Sequence, residues 1–201
     1  MNVLIINSLL CILALYNTSD IHQDEWKTVR EENGVKISYR WVTSPKGKKA
    51  REMKAEFILN TDIPTVIAQF RNARNLIQWS VAAETCEIYP EADNTWETYI
   101  CFDFPWPLRS RDLITQNELR VSGDTTVILM NSIPQSRPKV TGNKRISSYQ
   151  AIWRFTPVSK KRIRVVHMVV TYDPPEFPRV LADPIIQNKF ITSVERLRQQ
   201  I

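Results

Sequence analysis

The side chains that could transfer protons are few and widely spaced along the chain. His22 and His167 are the two histidines, and Tyr99, Tyr149 and Asp103 are further candidates. Catalysis requires such groups to converge on one site, but their spacing does not bring them together. The sequence also lacks a Ser-His-Asp arrangement and a nucleophile elbow. We therefore expect no catalytic site and no cofactor, and a binding function is favoured over an enzymatic one.

The three cysteines fit no metal site but allow one disulfide. Only the two histidines could join them as ligands, and the spacing matches no zinc pattern. Cys86 and Cys101 lie on successive strand candidates, and a two-residue turn at Asp93-Asn94 would place them opposite each other. That register would permit a cross-strand disulfide, whereas a slip of one or two residues would exclude it. We favour two free buried thiols.

The elements that would position these residues follow from the spacing of apolar side chains. Asn33-Gly34 is a strong hairpin signal, and Thr61 to Pro64 begins a helix that ends near Trp79. A second helix runs from about Arg179 to Gln200 with one apolar face. The predicted strands are Trp26–Arg30, Val35–Val42, Ala50–Leu59, Ala82–Tyr89, Thr95–Phe104, Leu113–Val121, Thr125–Asn131, Ser147–Phe155 and Arg162–Tyr172.

This order of three strands, a helix, six strands and a final helix predicts an α+β fold. An antiparallel sheet of eight or nine strands tends to curl. The long carboxy-terminal helix must bury its apolar face against that sheet. We therefore expect a curved sheet wrapped around the last helix, with a shorter helix after the third strand.

Residues 1–19 differ from the rest of the chain. Val3–Tyr16 is uncharged and apolar over 14 residues, which is the length of a signal-peptide core and short for a membrane span. No Lys or Arg precedes it, and no clear cleavage site follows. Cys11 has Leu10 before it, where a lipoprotein signal requires a small residue. We favour a cleaved export signal over an uncleaved anchor, a lipidated terminus or a buried helix. Export would make the protein periplasmic or secreted.

Composition places the remainder among folded domains. The 201 residues include 6 Trp, 4 Gly and 3 Cys, which excludes collagen-like, disordered and disulfide-dense proteins. The 27 Lys and Arg against 21 Asp and Glu give a net charge of +6. This excess falls short of a nucleic-acid-binding signature but suits transient contact with an anionic membrane. The basic groups at Lys46–Arg51 and Lys160–Arg164 are solvated hairpin tips or such a docking patch. We expect a monomer.

The segment from Phe104 to Asp112, FPWPLRSRD, follows one strand and precedes another. It resembles the "PWPLxxRD" signature of START domains, the StAR-related lipid-transfer family of the helix-grip superfamily. The helix end from Phe70 to Trp79, the strand Trp96–Phe104 and the turn and helix from Asp173 to Ile201 are similar to that family as well. The resemblance covers residues 24–201, which we interpret as one START-like lipid-binding domain.

The resemblance implies a non-enzymatic container with a helix-grip fold. In the family one lipid, such as a sterol or a phospholipid, lies in a tunnel gated by the carboxy-terminal helix. Arg111 and Asp112 match the signature's Arg-Asp, as a ligand contact or as a charged couple that ties strand to strand; we favour the structural role. Family members that bind lipid head groups often carry a basic residue six positions after that Arg. Asn117 stands there in this chain, which leaves the ligand class open.

Large apolar side chains on one face of a sheet usually pack in the core. A cavity would be lined by those that lack protein partners. His167 lies mid-strand as a core histidine satisfied by a neighbour, a ligand hydrogen-bond donor or a catalytic base, and we favour the first. The complete set of candidate ligand-binding residues is Trp79, Phe102, Phe104, Trp106, Arg111, Met130, Trp153, Phe155, His167, Met168, Leu181, Ile185 and Phe190.

The sequence therefore predicts binding, with transfer as an extension, of a lipid or other hydrophobic small molecule in an internal cavity beneath the last helix. Two alternatives stay open. One is an enzyme of the same superfamily, of the cyclase or aromatase kind. The other is an exported interaction module with a solid core.

Overall fold

The structure is a computed structural model that describes residues 25–104, 109–139, 142–174 and 177–201. These ranges contain ten strands and three helices. The strands are β1 (Lys27–Glu32), β2 (Val35–Thr43), β3 (Lys49–Leu59), β4 (Ala83–Ala92), β5 (Thr95–Phe102), β6 (Arg111–Ser122), β7 (Thr125–Ser132), β8 (Lys144–Arg145), β9 (Tyr149–Ser159) and β10 (Arg162–Thr171). The helices are α1 (Ile63–Phe70), α2 (Ala73–Trp79) and α3 (Arg179–Gln200).

All the described strands form one sheet in the order β1-β2-β3-β10-β9-β7-β6-β5-β4, with β8 beside β6. The pairings along this path are antiparallel, and β8 pairs with β6 in parallel. The predicted α+β fold, a curved sheet around a long final helix, is confirmed. The strand beyond the predicted number is β8, whose two residues are too few to show an alternating pattern.

The single helix predicted after β3 is two helices. Asp62 caps α1 by accepting a hydrogen bond from the Thr65 backbone N–H at 3.0 Å. Hydrogen bonds with both the side chain and the backbone of Thr65 lower the pKa of Asp62 to about 2. Asn72 caps α2 with an extended backbone, φ −128° and ψ 117°. Because an N-cap residue is not helical, α1 ends before Asn72.

The inner face of the sheet carries an aromatic core. Phe57, Val165 and Phe155 stand side by side on β3, β10 and β9, and each is at most 3% exposed. The ring of Phe70 on α1 lies 5.9 Å from that of Phe155 and 5.0 Å from that of Trp153. This end of the sheet is therefore filled by side chains.

Helix α3 has two parts, which we call the lid segment (residues 179–190) and the anchor segment (residues 191–200). Ile191, Val194 and Leu197 of the anchor segment are at most 3% exposed and belong to the core. Arg198 donates to backbone carbonyls of the β1–β2 turn and of β3 at 2.6–3.3 Å. The lid segment contains Pro184, which has no backbone N–H for the helix ladder.

The two described cysteines are free, as favoured; Cys101 is buried, whereas Cys86 is only half-buried, and the register that would have permitted a disulfide does not occur. Cys86 pairs with Ile100, one position away from Cys101. A β-bulge between Pro90 and Ala92 causes this shift, because the extra residue offsets every later pair. Burial raises the pKa of the Cys86 thiol to about 11.

Residues 1–19 and Trp106 lie outside the described residues, so the signal or anchor and the domain start at residue 24 stay predictions. Within the described ranges, no helix combines the length and the apolar character needed to cross a membrane.

Candidate functional site

A pocket of about 380 Å³ opens between the inner face of the sheet and the lid segment of α3. The sheet side chains around it are Tyr39, Arg51, Met53, Phe102, Arg111, Tyr149, His167, Val169 and Thr171. The α3 side chains around it are Arg179, Ala182, Asp183, Ile186, Lys189, Phe190 and Ser193.

Strand alternation determines which residues reach this pocket. On β10, His167, Val169 and Thr171 have the same parity as the core residue Val165, so all four lie on the inner face. The same alternation on β3 continues from the core out to Arg51. Each strand therefore runs from a filled core at one end to a pocket wall at the other.

His167 forms part of the wall next to the filled core. Its ring stacks on Trp153 with centroids 3.9 Å apart, and it lies nearly parallel to Phe190 at 5.5 Å. Burial lowers the pKa of His167 to about 3, although a hydrogen bond with the Ile152 backbone acts in the opposite direction. Nδ1 is buried and has no hydrogen-bond partner. The ring is therefore neutral at ordinary pH and incompletely satisfied.

At the other end of the pocket, an ion pair joins the sheet to the lid segment. Arg51 donates from Nη2 to Asp183, and both side chains are 18% exposed. The Arg51 guanidinium also lies over the Tyr39 ring at 3.9 Å. Burial raises the pKa of Tyr39, and a hydrogen bond with Gln187 opposes that shift. Polar contacts thus hold this part of α3 against β2 and β3.

The rim near the lid segment is cationic. Arg179 lies over the exposed Trp41 at 5.5 Å. Burial, followed by repulsion from Arg51, lowers the pKa of Arg179. Asp173, another rim residue, accepts hydrogen bonds at 2.7 Å from the backbone and hydroxyl of Ser147. The rim can accommodate a polar end of a ligand beside an apolar interior.

The Arg-Asp pair of the signature divides between two roles. Asp112 is 1% exposed and accepts hydrogen bonds from Nε and Nη2 of Arg145 at 3.0 and 2.6 Å. Arg145 also donates to three backbone carbonyls of the 134–138 segment. Arg111 lies at the pocket. Asp112 is therefore structural, with Arg145 rather than Arg111 as its described ion-pair partner.

Asn117 does not line the pocket. It is fully buried, and its Nδ2 donates to the Trp96 carbonyl at 3.0 Å and to the Thr98 hydroxyl at 2.9 Å. Its Oδ1 accepts from the Thr115 hydroxyl at 2.9 Å. Because these contacts occupy the amide, Asn117 connects β5 to β6.

Solved structures with the same architecture decide the fold. The STAR-related lipid transfer protein of Xanthomonas axonopodis (fragment 25–204) superposes with a TM-score of 0.75 at 20% identity, over 88% of this chain and 98% of that one. The chain has the fold of a START domain. Human StAR-related lipid transfer protein 5 superposes on this START fold with a TM-score of 0.69 at 16% identity, over 87% of this chain and 85% of that one.

One further solved structure and one protein similar in sequence can be compared with this START fold. The Zhui aromatase/cyclase of Streptomyces sp. R1128 has a TM-score of 0.53 at 10% identity, over 75% of this chain and 93% of that one. An uncharacterized protein of Pseudomonas aeruginosa is 25% identical over 177 residues, 87% of this chain and 86% of that protein. No protein-family model matches the chain.

Five of the predicted ligand-binding residues lie around the START-fold pocket. They are Phe102, Phe104, Arg111, His167 and Phe190. Four of them are aromatic, and the rings of Phe102 and Phe104 stack with centroids 5.8 Å apart. Whether these side chains touch a ligand stays a prediction.

Four further candidates lie in or against the filled core instead. Trp79, Trp153 and Phe155 are buried among aromatic rings, and Met130 packs against the same cluster. Trp153 and Phe155 lie on β9 beside the ring of Phe70 from α1, and Trp79 is the ring that α2 contributes to the same cluster. None of the four lines the pocket.

The remaining described candidates are turned away from the pocket. Met168 has the opposite parity to His167 and is therefore on the outer face of β10. Leu181 is 53% exposed on α3, and Ile185 is half-buried without lining the pocket. The apolar face expected from the sequence is therefore only partly the face that the lid segment presents, since Ile186 and Phe190 line the pocket whereas Leu181 and Ile185 do not.

Other polar wall residues are absent from the predicted ligand-binding set, although the sequence carried a signal for them. Arg51 shares the parity of Met53 on an inward-facing strand, and Tyr149 shares that of Trp153. On α3, Asp183 is spaced helically from Phe190 and lies on the same side. A charged residue in an inward-facing position was the sign of a wall rather than of a solid core.

Proposed function

We propose that this START-fold domain binds one lipid or other hydrophobic small molecule in the pocket, without catalysing a reaction. The observation that carries the proposal is the apolar wall between sheet and lid segment, formed by Met53, Val169, Phe102, Ile186 and Phe190. Burying a ligand methylene contributes about 0.8 kcal/mol, so an extended apolar ligand needs no charged contact. The names of the lipid transfer proteins that share the fold support this assignment.

The structural neighbour named as an aromatase/cyclase makes an enzyme the second candidate. Among the described proton-transfer candidates named from the sequence, His167 and Tyr149 are the two that line the pocket. Burial lowers the pKa of His167 to about 3 and raises the pKa of Tyr149. Both shifts move away from neutrality, so His167 is a weak base and Tyr149 a weak acid at pH 7. This direction favours a binding pocket over a general acid–base site.

Transfer of the ligand would require contact with a membrane, which we propose occurs at the lid segment. Val180 is 78% exposed and Leu181 53% exposed, and Trp41 beside Arg179 is 46% exposed. Exposed apolar side chains next to basic ones suit an anionic lipid surface. The predicted export signal at residues 1–19 would place this activity in the periplasm or outside the cell.

The identity of the cargo is tested by extracting the natively purified protein with organic solvent and analysing the extract by mass spectrometry. A co-purified lipid at near-equimolar amount is the expected result. Absence of any lipid, together with no uptake of the apolar fluorophore Nile red, would instead favour the interaction module with a solid core.

A matched pair of variants tests whether the pocket is the binding site. Ala182→Trp fills the pocket from α3, whereas Val180→Trp places the same side chain on an exposed position. We expect Ala182→Trp to weaken Nile red binding at least about tenfold, because the indole occupies ligand volume. Val180→Trp should bind Nile red as the unmodified protein does. Equal binding by both variants would locate the fluorophore elsewhere and contradict the proposal.

A further inference from the structure

A second pocket, of about 320 Å³, lies between the outer face of the sheet and the turn that joins β2 to β3. Gln150 pairs with Val170, which has the same parity as the outer-face residue Met168. Tyr172 packs beside Val170, and its backbone N–H donates to the Ser148 carbonyl at 3.0 Å. We call this cavity the outer pocket. The residues around it are Ser44, Pro45, Lys46, Lys48, Asn131, Ser132, Ser148, Tyr149, Gln150 and Tyr172.

The turn over the outer pocket is held by its own hydrogen bonds. The backbone N–H of Ser44 donates to the Lys48 carbonyl at 2.8 Å, and that of Gly47 donates to the Ser44 carbonyl at 2.9 Å. The Ser44 hydroxyl accepts from the Lys48 N–H at 3.1 Å. Gly47 adopts a φ of 75°, which glycine tolerates. The turn therefore places Lys46 and Lys48, two residues apart, at the same pocket.

The side chains around the outer pocket carry hydrogen-bond donors that the described residues leave unused. Within the described ranges, the ammonium groups of Lys46 and Lys48 form no ion pair. The amides of Asn131 and Gln150 and the hydroxyl of Tyr172 likewise have no hydrogen-bond partner there. Burial is the main cause that raises the pKa of Tyr172, so its hydroxyl keeps its proton at neutral pH.

The charge around the outer pocket is positive and uncompensated. None of the described residues that line it is acidic. The carboxylates of Asp173 and Glu52 adjoin it but are engaged elsewhere: Asp173 accepts from the Ser147 backbone at 2.7 Å, and Glu52 accepts from Arg40 at 2.6 Å. Because like charges repel, two lysines in one turn favour an anion between them.

We propose that the outer pocket binds a phosphate group, carried either by a lipid head group at a membrane surface or by a small soluble phosphate ester. Phosphate oxygens form charge-assisted hydrogen bonds, and lysine is a common ligand for them. Lys46 and Lys48 would balance the charge, while the amides and the Tyr172 hydroxyl would orient the group. The inference goes beyond the proposed function, because it concerns a different pocket and a polar ligand.

The test is isothermal titration calorimetry of the purified full chain with glycerol 3-phosphate at low salt, with glycerol as the uncharged control. Lys46→Gln combined with Lys48→Gln removes both charges from exposed side chains. Lys160→Gln combined with Arg162→Gln is the matched control, since it removes two charges, also two residues apart, from the β9–β10 turn. We expect the first pair to weaken glycerol 3-phosphate binding at least about tenfold and the control pair to change it less than about twofold.

Tyr172→Phe separates a built site from general attraction to a basic surface. It removes the hydroxyl and leaves the ring and the net charge in place, so folding should be unaffected. We expect it to weaken glycerol 3-phosphate binding about five- to tenfold, the size of one hydrogen bond. Nile red binding should be the same in all these variants, because none of the substituted residues lines the pocket beneath the lid segment.

Flotation with phosphatidylcholine vesicles, with and without phosphatidic acid, distinguishes the two sources of the phosphate group. Binding of glycerol 3-phosphate supports a soluble ester, whereas binding only to vesicles with phosphatidic acid supports a head group. Either result supports the proposal if Lys46→Gln/Lys48→Gln and Tyr172→Phe both weaken that binding. Equal weakening by the two charge-removing pairs, no effect of Tyr172→Phe, or no binding of either probe would overturn it. Failure of the unmodified protein to bind Nile red would contradict the proposed function alone.

Discussion

The two segments of α3 lie over the same sheet but contact it through different chemistry. In the anchor segment, Leu197 is 1% exposed and packs in the aromatic core. In the lid segment, Asp183 pairs with Arg51 across the pocket, while Leu181 is 53% exposed. One continuous helix therefore closes a solid core at one end and covers a pocket at the other.

This difference shows how a pocket is built without interrupting the fold. Apolar side chains stabilise a structure when they pack closely, so the anchor segment brings α3 onto the sheet. Long polar side chains such as Arg51 can span a gap and remain paired, so the lid segment can contact the sheet while the pocket lies between them. Pro184 also removes one backbone hydrogen bond from the helix within the lid segment, because proline has no N–H. The lid segment is thus the part of α3 that can move at the smaller cost in free energy.

The largest expected effect comes from removing the same side chain in the two segments. Leu197→Ala should lower the free energy of unfolding by about 2–5 kcal/mol, because it leaves a cavity in the core. Leu181→Ala should change it by less than about 0.5 kcal/mol, because that side chain is exposed. Urea unfolding of both variants measures the difference. Similar losses in the two would mean that the segments are not packed differently.

The parts of the fold that local residues determine were predictable from the sequence. Asn33 and Gly34 have φ of 51° and 67°, which matches the hairpin that their residue types indicated. The helical spacing of apolar residues in α3 and the segment from Phe104 to Asp112 indicated a curved sheet around a long final helix. The register at Cys86 was not predictable, because the β-bulge after Pro90 has no distinctive sequence.

The site was harder to predict, since a wall and a core use the same residue types. Trp153 and Phe190 both read as large inward-facing apolar side chains, yet Trp153 is enclosed in the core and Phe190 reaches the pocket. Their difference depends on tertiary packing, because rings from α1 and α2 cover Trp153 whereas Phe190 borders the pocket.

A second prediction concerns pH and the boundary between the filled core and the pocket, where His167 lies. Its folded pKa of about 3 is below the usual value of about 6.5 for an unfolded chain. The unfolded state therefore binds the proton first as the pH falls. The stabilising contribution is complete above pH 6.5 and decreases through the window from 6.5 to 3.

Between pH 7 and pH 5, this linkage should lower the free energy of unfolding by about 2 kcal/mol. The measurement is urea unfolding of delipidated protein at several pH values, with His167→Phe as the control that lacks the titrating group. Asp62, whose pKa is lowered to about 2, loses its contribution between about pH 4 and pH 2, which is below the range from pH 7 to pH 5. A slope that is the same in both proteins would show that His167 is not buried as described.

The smallest expected effect comes from changing one acidic residue to its amide in each segment of α3. The comparison tests whether an ion pair holds the lid segment while apolar packing holds the anchor segment. Asp183→Asn removes the charge paired with Arg51, and water reaches this 18% exposed pair, so the loss of stability should be about 1 kcal/mol. Dissociation of Nile red should accelerate several-fold, since Arg51 would be left near Arg179 without its counter-charge.

Glu195→Gln, in the anchor segment, alters the contact with Asn33 and should leave dissociation unchanged, because buried apolar residues hold that segment. Stopped-flow dissociation at low and high salt measures both variants, and only Asp183→Asn should lose the salt dependence of the unmodified protein. Equal acceleration by both variants would mean that α3 opens as a single rigid helix, and the division into lid and anchor segments would then be wrong.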